Sequence, residues 1–484
     1  MLTKKDTEKR QQIQFLCIDE LVPREHLLRK IENALDFSFI REEVKDLYCS
    51  DNGRPSIDPV ILFKLSMINY LYGLHSMRRT IRESEVNMAY RWFLGYDIME
   101  KVPHFTTWGK NYSRRFEGTD IFERIFTKVL TEALECGLVE SETVFVDGTH
   151  IRANANLKKN YKEQAQKAGK HYHKELMREI NEIREADGKK PFDGDDNSGE
   201  TVTETKSKTD PESGLFHKGE HKKCFAYNAQ TACDRNNFVL AVNVVRGNTH
   251  DSVAFDGLYA GLKERLSGIK SMAMDSAYRT PWIMKQVMDD GIIPVVPYHA
   301  PMTKTGFYKK NEYRYVPYSD SYICPNGKEL SYTTTNREGY REYKSNCNIC
   351  AKCPNREKCT HSKNMVKVIT RHIWADYVED AERIRYTPYA KERYALRSET
   401  IERVFADAKE KHGLRYARYR GLEKTKSQVL MTFACMNLKK LAKHKWLNPQ
   451  LPRLLFRFSN FLPVFCNLLK KQFIPKTKTV SASC

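Results

Sequence analysis

Apolar residues between Arg397 and Lys409 recur at helical spacing. Set about 100° apart, Ile401, Val404, Phe405 and Ala408 share one face. Glu402 lies at the edge of that face, Lys409 is nearly in line two turns on, and Glu399 points further toward solvent. The spacing predicts a helix over 397–412 with an acid and a base on one edge. On its own this is also how a solvated charged rim reads.

The same periodicity makes residues 1–130 helical. Asp58-Pro59 opens a helix through Val60, Leu62, Leu65, Ile68 and Leu71, with Asp58 as N-cap, Pro59 at the first position and Gly73 at the end. Ser76 caps a second helix to about Asn87. A third segment holds Tyr90, Trp92, Phe93 and Leu94, and a fourth, after Pro103–Thr107, bears Lys110, Arg114 and Arg115.

At residues 143–147 the pattern changes to a short apolar run ending in Asp147, as in a doubly buried strand, with Asp147-Gly148-Thr149 expected to turn the chain. Residues 157–212 are charged and read as an insertion, helical from Lys158 to about Ala186, then a flexible loop over 187–211. Strands at 224–233 and 238–245 form a hairpin about Asp234–Asn237. A helix over 251–267, a strand ending in Asp275, a helix over 281–290 and a strand over 291–298 complete a mixed α/β sheet with acids at strand ends.

Charge adds a partner. Lys and Arg number 81 against 61 Asp and Glu, a net +20 with a pI near 9.2, which predicts a polyanion, most often nucleic acid. Arg78, Arg79, Arg82 and Arg114 on short, tightly joined helices suit a helix-turn-helix-like DNA-binding unit; the alternative is a helical bundle with a basic face. The first ten residues have no apolar signal core, and no run reaches membrane-span length. The expectation is a soluble, cytoplasmic protein with no membrane partner and reduced cysteines.

Asp147, Asp275 and Glu402 stand out as chemistry. Carboxylates at neighbouring strand ends repel and raise each other's pKa, a conflict that a hard divalent cation resolves. Two Mg²⁺ (or Mn²⁺) ions can activate an attacking oxygen and stabilise a leaving one in phosphoryl transfer. Each Asp taken singly is equally a turn cap.

The sequence resembles the DDE transposases of bacterial insertion sequences from about residue 45 to 445. Gly53-Arg-Pro-Ser-Ile-Asp58-Pro59 through Trp92-Phe93 looks like that family's N-terminal helical domain. Phe145-Val-Asp147-Gly-Thr-His-Ile-Arg-Ala-Asn-Ala-Asn156, Met274-Asp275-Ser-Ala-Tyr278 and Glu402-Arg-Val-Phe-Ala-Asp-Ala-Lys409 look like its three acid motifs. The resemblance implies a ribonuclease-H-like core, Asp147, Asp275 and Glu402 as the metal-binding triad, and Lys409 on DNA. One departure stands: the common signature has three residues between its Arg and Glu, and here four separate Arg397 from Glu402. Arg403 is the substitute for Arg397, and Glu399 the rival acid. Tyr278 reads as a DNA contact or as packing, and Asp251 or Thr249 as a helix N-cap.

Cys350-x2-Cys353-x5-Cys359, with Cys324 upstream, matches a tetrahedral structural Zn²⁺ site, with Cys347 and His361 as further candidates and plain reduced thiols as the alternative. The expected domains are 1–130, helical and DNA-binding; 140–299, the first part of the core, with insertion 157–212; 300–390, Cys-rich; 391–445, the final core helices; and 446–484, a basic tail. The expected function is metal-dependent cleavage at element ends and strand transfer by a homodimer on double-stranded DNA, both terminal repeats and target. A nuclease without strand transfer and a catalytically silent DNA-binding relative are the alternatives.

Overall fold

The computed structural model describes residues 12–448 apart from 14, 50–55, 167–171, 193–200, 219–221 and 299–302. The expected tail at 446–484 therefore lies almost wholly outside the described residues, as does the start of the first family-like motif.

The described elements from Ile18 to Glu135 are helices. The Asp58 carboxylate accepts the Val60 N–H at 3.0 Å, and Pro59 starts the Pro59–Leu71 helix, which is apolar all round and buried. Ser76 caps Met77–Val86 through the Arg79 N–H. Gly73 has φ +62°, and a Cβ there would lie 2.8 Å from the Lys411 carbonyl oxygen. The His412 ring sits 2.8 Å from the Tyr70 carbonyl oxygen. The N-terminal helices are thus fastened to the segment that follows the acid-bearing helix. The long helix Leu422–Leu447 packs on helices Leu27–Ala34, Pro59–Leu71 and Ile121–Glu135, and one apolar core runs from Leu28 to Ala442.

The strands are β1 (Thr143–Arg152), β2 (Asn160–Gln166), β3 (Thr201–Ser207), β4 (Gly214–Lys218), β5 (Lys222–Cys233), β6 (Val239–Arg246), β7 (Ser271–Ala273) and β8 (Ile293–Val295). The main sheet runs β6-β5-β1-β7-β8, with β4 also on β5; β5 is antiparallel to β1 and β6, and β7 and β8 run parallel to β1.

Three expectations are corrected. β1 does not end at Asp147, and 147–149 is no turn. β5 supplies a continuous partner from Phe145↔Cys233 to Arg152↔Ala226, so the chain stays extended through Gly148. The charged insertion is not helical from Lys158, nor is 187–211 all loop: β2 and β3 pair along their length, and the helix is His173–Ala186. The acid-bearing helix spans Ile401–Glu410, with Leu396–Ser398 forming a separate 3₁₀ turn before it.

The Cys-rich insertion folds as its own antiparallel sheet of β9 (Arg314–Val316), β10 (Ser321–Ile323), β11 (Glu329–Thr335), β12 (Tyr340–Ser345) and β13 (Val368–His372), paired in that order. Its core is separate and small: Tyr313, Tyr322, Leu330, Tyr343 and Ile369.

Candidate active site

The parallel pairing of β1 with β7 fixes the two aspartates. Phe145 faces Ala273, the last residue of β7; two residues on come Asp147, still within β1, and Asp275, just past the end of β7, and Asp275 acts electrostatically on the Asp147 carboxyl. Residues in register on neighbouring parallel strands share a face, and the strands are about 4.8 Å apart, so both carboxylates arise side by side. Each also makes the local bond a turn cap would make: Asp147 Oδ1 accepts the Gly148 N–H at 2.8 Å, and Asp275 Oδ1 accepts the Ser276 N–H at 2.6 Å.

The helix Ile401–Glu410 packs on β1 and β5, burying Ile401, Val404, Phe405 and Ala408 as the periodicity requires. Glu402 and Arg403 are exposed in its first turn, and Lys409 is half-buried in its last. Glu399 is exposed and precedes the helix. Tyr394 ties the parts together: Asp275, Asp147 and Glu402 all act electrostatically on its phenol, whose pKa burial raises. Among the described residues, however, no group of three or more His, Cys, Asp or Glu is arranged to hold a metal ion.

Arg397 is placed in the site. Only 5 % exposed, it donates from Nη2 to Asp147 Oδ2 at 2.8 Å and from Nη1 to the Val146 carbonyl at 3.1 Å. The guanidinium is thus committed to the β1 strand and presents no exposed face. The irregular spacing has a structural cause: the 3₁₀ turn and Thr400 intervene between Arg397 and the helix. Asp147 itself has its pKa pushed up to about 6, first by burial, with Asp275 and Asp251 adding to the rise and Arg397 opposing it.

Tyr278 is corrected as a DNA contact. It is fully buried, and its hydroxyl donates to Gln230 Oε1. Gln230 Nε2 donates to Asp251 Oδ1 at 2.6 Å, and Asn228 Nδ2 to the same oxygen at 2.9 Å. A Cβ on Gly148 would stand 2.6 Å from Gln230 Nε2 and 3.1 Å from Asp251 Oδ1, so only glycine fits beside this group. Asp251 is not the N-cap of its helix; His250 is. Asn228, Gln230 and Asp251 form a polar group on the Gly148 face of the sheet, the face opposite to that of Asp147.

Arg78, Arg79, Arg82 and Arg114 are exposed on the N-terminal helices, distant in sequence from the acids; Arg78 lies over the Phe105 ring at 4.4 Å, and Arg79 pairs with Glu83 at 3.6 Å. In the insertion the four cysteines gather loosely. Cys350 and Cys324 both act on the Cys359 thiol, whose Sγ lies 3.0 Å from the Tyr313 hydroxyl. The Lys328 N–H reaches Cys324 Sγ at 3.3 Å, Asn326 Nδ2 lies 3.6 Å from Cys353 Sγ, and the Cys350 thiol donates to Ser345 Oγ at 3.2 Å. Cys347 is exposed, and the His361 ring contacts the Glu357 carbonyl. Among the described residues no helix is long and apolar enough to cross a membrane.

Residues 323–442 match a family described as a transposase DDE domain, and residues 16–114 match one described as a transposase domain (DUF772). No curated protein and no solved structure matches the chain.

Proposed function

Two transposase matches, one at each end of the chain, indicate an insertion-sequence DDE transposase, and from that premise we propose that it cuts DNA at the ends of its element and joins them to target DNA, using Asp147, Asp275 and Glu402. The observation that carries this reading is the register of β1 on β7. It starts Asp147, within β1, and Asp275, just past β7, from neighbouring positions on the sheet on which the helix that bears Glu402 packs, and Glu402 lies within the matched DDE region. Three antiparallel strands continued by two parallel ones support a ribonuclease-H-like core.

The donor set suits Mg²⁺ or Mn²⁺: carboxylate oxygens are hard ligands, and the Arg397 guanidinium already stands in for a cation on Asp147 Oδ2. Two divalent cations bound there supply the charge that activates an attacking oxygen and stabilises a leaving one. Asp147 and Asp275 hold that position from the sheet, and Glu402 completes it from the helix. Water attacks the phosphorus and the 3′-oxygen leaves; the freed 3′-hydroxyl then attacks a second phosphodiester, expelling its 3′-oxygen. Lys409, two turns along from Glu402, meets a phosphate. Arg78, Arg79, Arg82 and Arg114 recognise the terminal repeats, and a homodimer pairs two ends.

Thiolate donors suit Zn²⁺, and Cys324, Cys350, Cys353 and Cys359 hold it as a structural ion for the small sheet. Zinc analysis of the purified protein and of Cys353→Ser tests that part: equal content in both rules it out.

The catalytic test uses Asp147→Asn and Asp275→Asn with a pre-cut element end and Mg²⁺. Both variants should bind DNA and lose cleavage and strand transfer by at least about 10³-fold, the scale of a lost electrostatic contribution. Cleavage that survives in either variant overturns the site; cleavage without strand transfer in the natural protein makes it a nuclease.

A further inference from the structure

β7 stops at Ala273, whereas β1 runs on to Arg152. Beyond Phe145 the β7 side of β1 is therefore relieved of its strand neighbour, and two other groups stand along it. Arg397 takes the Val146 carbonyl. Farther on, the Arg152 N–H donates to the Arg415 carbonyl at 3.0 Å and the Ala417 N–H donates to the Arg152 carbonyl at 2.8 Å, a one-residue parallel bridge to Tyr416. Val146 and Arg152 are an even number of residues apart, so their carbonyls face the same side of the strand. Between them Thr149 and Ile151 are buried and the helix Ile401–Glu410 packs on β1, with the acids at one end of this covered stretch and the exposed side chains of the 414–420 loop at the other.

That far end is basic and rigid. Arg152, Arg415 and Arg420 are exposed, Arg420 Nε is held on the Asn154 carbonyl at 3.2 Å, and Lys158 and Lys159 are exposed just beyond. Tyr416 is 57 % exposed although its backbone is bridged to the strand that carries Asp147. The acids nearby are fewer: Glu410 pairs with Arg415, and Glu212 accepts the Leu422 N–H.

We propose that the surface from the acids to this far end is a track for the sugar–phosphate backbone of duplex DNA flanking the scissile bond, with Arg152, Arg415 and Arg420 on phosphates and Tyr416 against the sugars or bases. The proposal rests on the transposase reading above and adds where the substrate lies. Charge complementarity selects a polyanion. A strand rises about 3.3 Å per residue, so Arg152 is about 17 Å beyond Asp147. Successive nucleotides of duplex DNA rise about 3.4 Å along the helix axis, so a duplex lying along the strand places Tyr416 about five base pairs from the cleaved phosphate.

Two measurements test it. The first is the salt dependence of binding to a labelled 30-base-pair duplex of arbitrary sequence, for the full chain and for Arg152→Ala/Arg415→Ala/Arg420→Ala. Three lost phosphate contacts should flatten the log–log slope by about 2.7, at about 0.9 per phosphate, with circular dichroism and melting unchanged. An unchanged slope overturns the track, as does loss of self-association in its place, which would assign the face to a second copy. This arm needs no cleavage, so it stands or falls apart from the catalytic assignment. The second exchanges Tyr416 for p-benzoylphenylalanine and maps photo-crosslinks on the element's own terminal DNA. Crosslinks about four to six nucleotides from the nick are expected; crosslinks at the nick itself, or none, overturn the proposal.

Discussion

The main sheet is mixed and the insertion sheet wholly antiparallel, and they are held together differently. The main core is apolar and continuous, with Val144, Phe145, Val146, Phe255, Met272 and Val429 all fully buried. The insertion sheet has five core residues, three of them tyrosines. A buried tyrosine must pair its hydroxyl, so this sheet is tied by polar links: Tyr343 and Tyr315 both donate to Asp320 Oδ1, at 2.6 and 2.7 Å, and Arg341 pairs with Asp320 at 2.7 Å. The carboxylates of the proposed site stand on the body with the larger apolar core. The thiols stand on the body that depends on pairing, and this is where a structural ion would contribute most.

The largest effect should come from breaking the first body. Phe145→Ala should cost about 3–5 kcal/mol and unfold the chain as a whole in denaturant, because the residue is fully buried on the strand that carries Asp147. Leu330→Ala should cost about 2–4 kcal/mol, confined to 303–372. Hydrogen exchange should speed up in β10–β12 and not in β1 or β5; uniform acceleration would mean the two bodies are one.

Arg371 sharpens the boundary. Its side chain is 6 % exposed and pairs with Asp376 and Glu379 on the helix Ala375–Arg385, which leads toward Arg397. Both carboxylates face water, so Arg371→Ala should cost only about 1–2 kcal/mol after screening. A fall in cleavage larger than the fall in stability would show that the joint positions the site.

The smallest perturbation is a single proton. The folded-state pKa of Asp147 is raised to about 6. Its contribution to stability is therefore complete below the ordinary carboxylate value of about 3.9 and is lost as pH rises toward 6. The metal-free protein should lose about 1.4 kcal/mol per pH unit across that window, with the same slope in Arg371→Ala. A flat melting temperature across the window would remove the buried proton from the account.

Much of this was legible because apolar periodicity is strong where burial is two-sided: the runs ending in Asp147 and Asp275, the face of the acid-bearing helix, and the Asp58-Pro59 helix start. Other features were hidden by their chemistry. β2 and β3 carry charges on both faces and make no apolar signal. β11 alternates Leu330 and Tyr332 with polar residues over too short a run to stand out, and β12 spaces Tyr340 and Tyr343 three apart, which is no strand period. The extension of β1 past Asp147 was obscured by Gly148, which reads as a turn residue but is required by the crowding of Gln230 and Asp251. Arg397 was misjudged because a signature counted in residues assumes a continuous helix, and the chain takes a 3₁₀ turn first.

The long helix Leu422–Leu447 has a further consequence, in the order of synthesis. It packs on helices made near the start of the chain, so the N-terminal unit lacks a wall until nearly the last described residue has left the ribosome. At about 5–20 residues per second, the interval from Ala34 to Leu422 is roughly 20–80 s. Through that time the basic helices are present without their finished core, and a nascent chain truncated before residue 422 should be a poor DNA binder however intact its first 135 residues are.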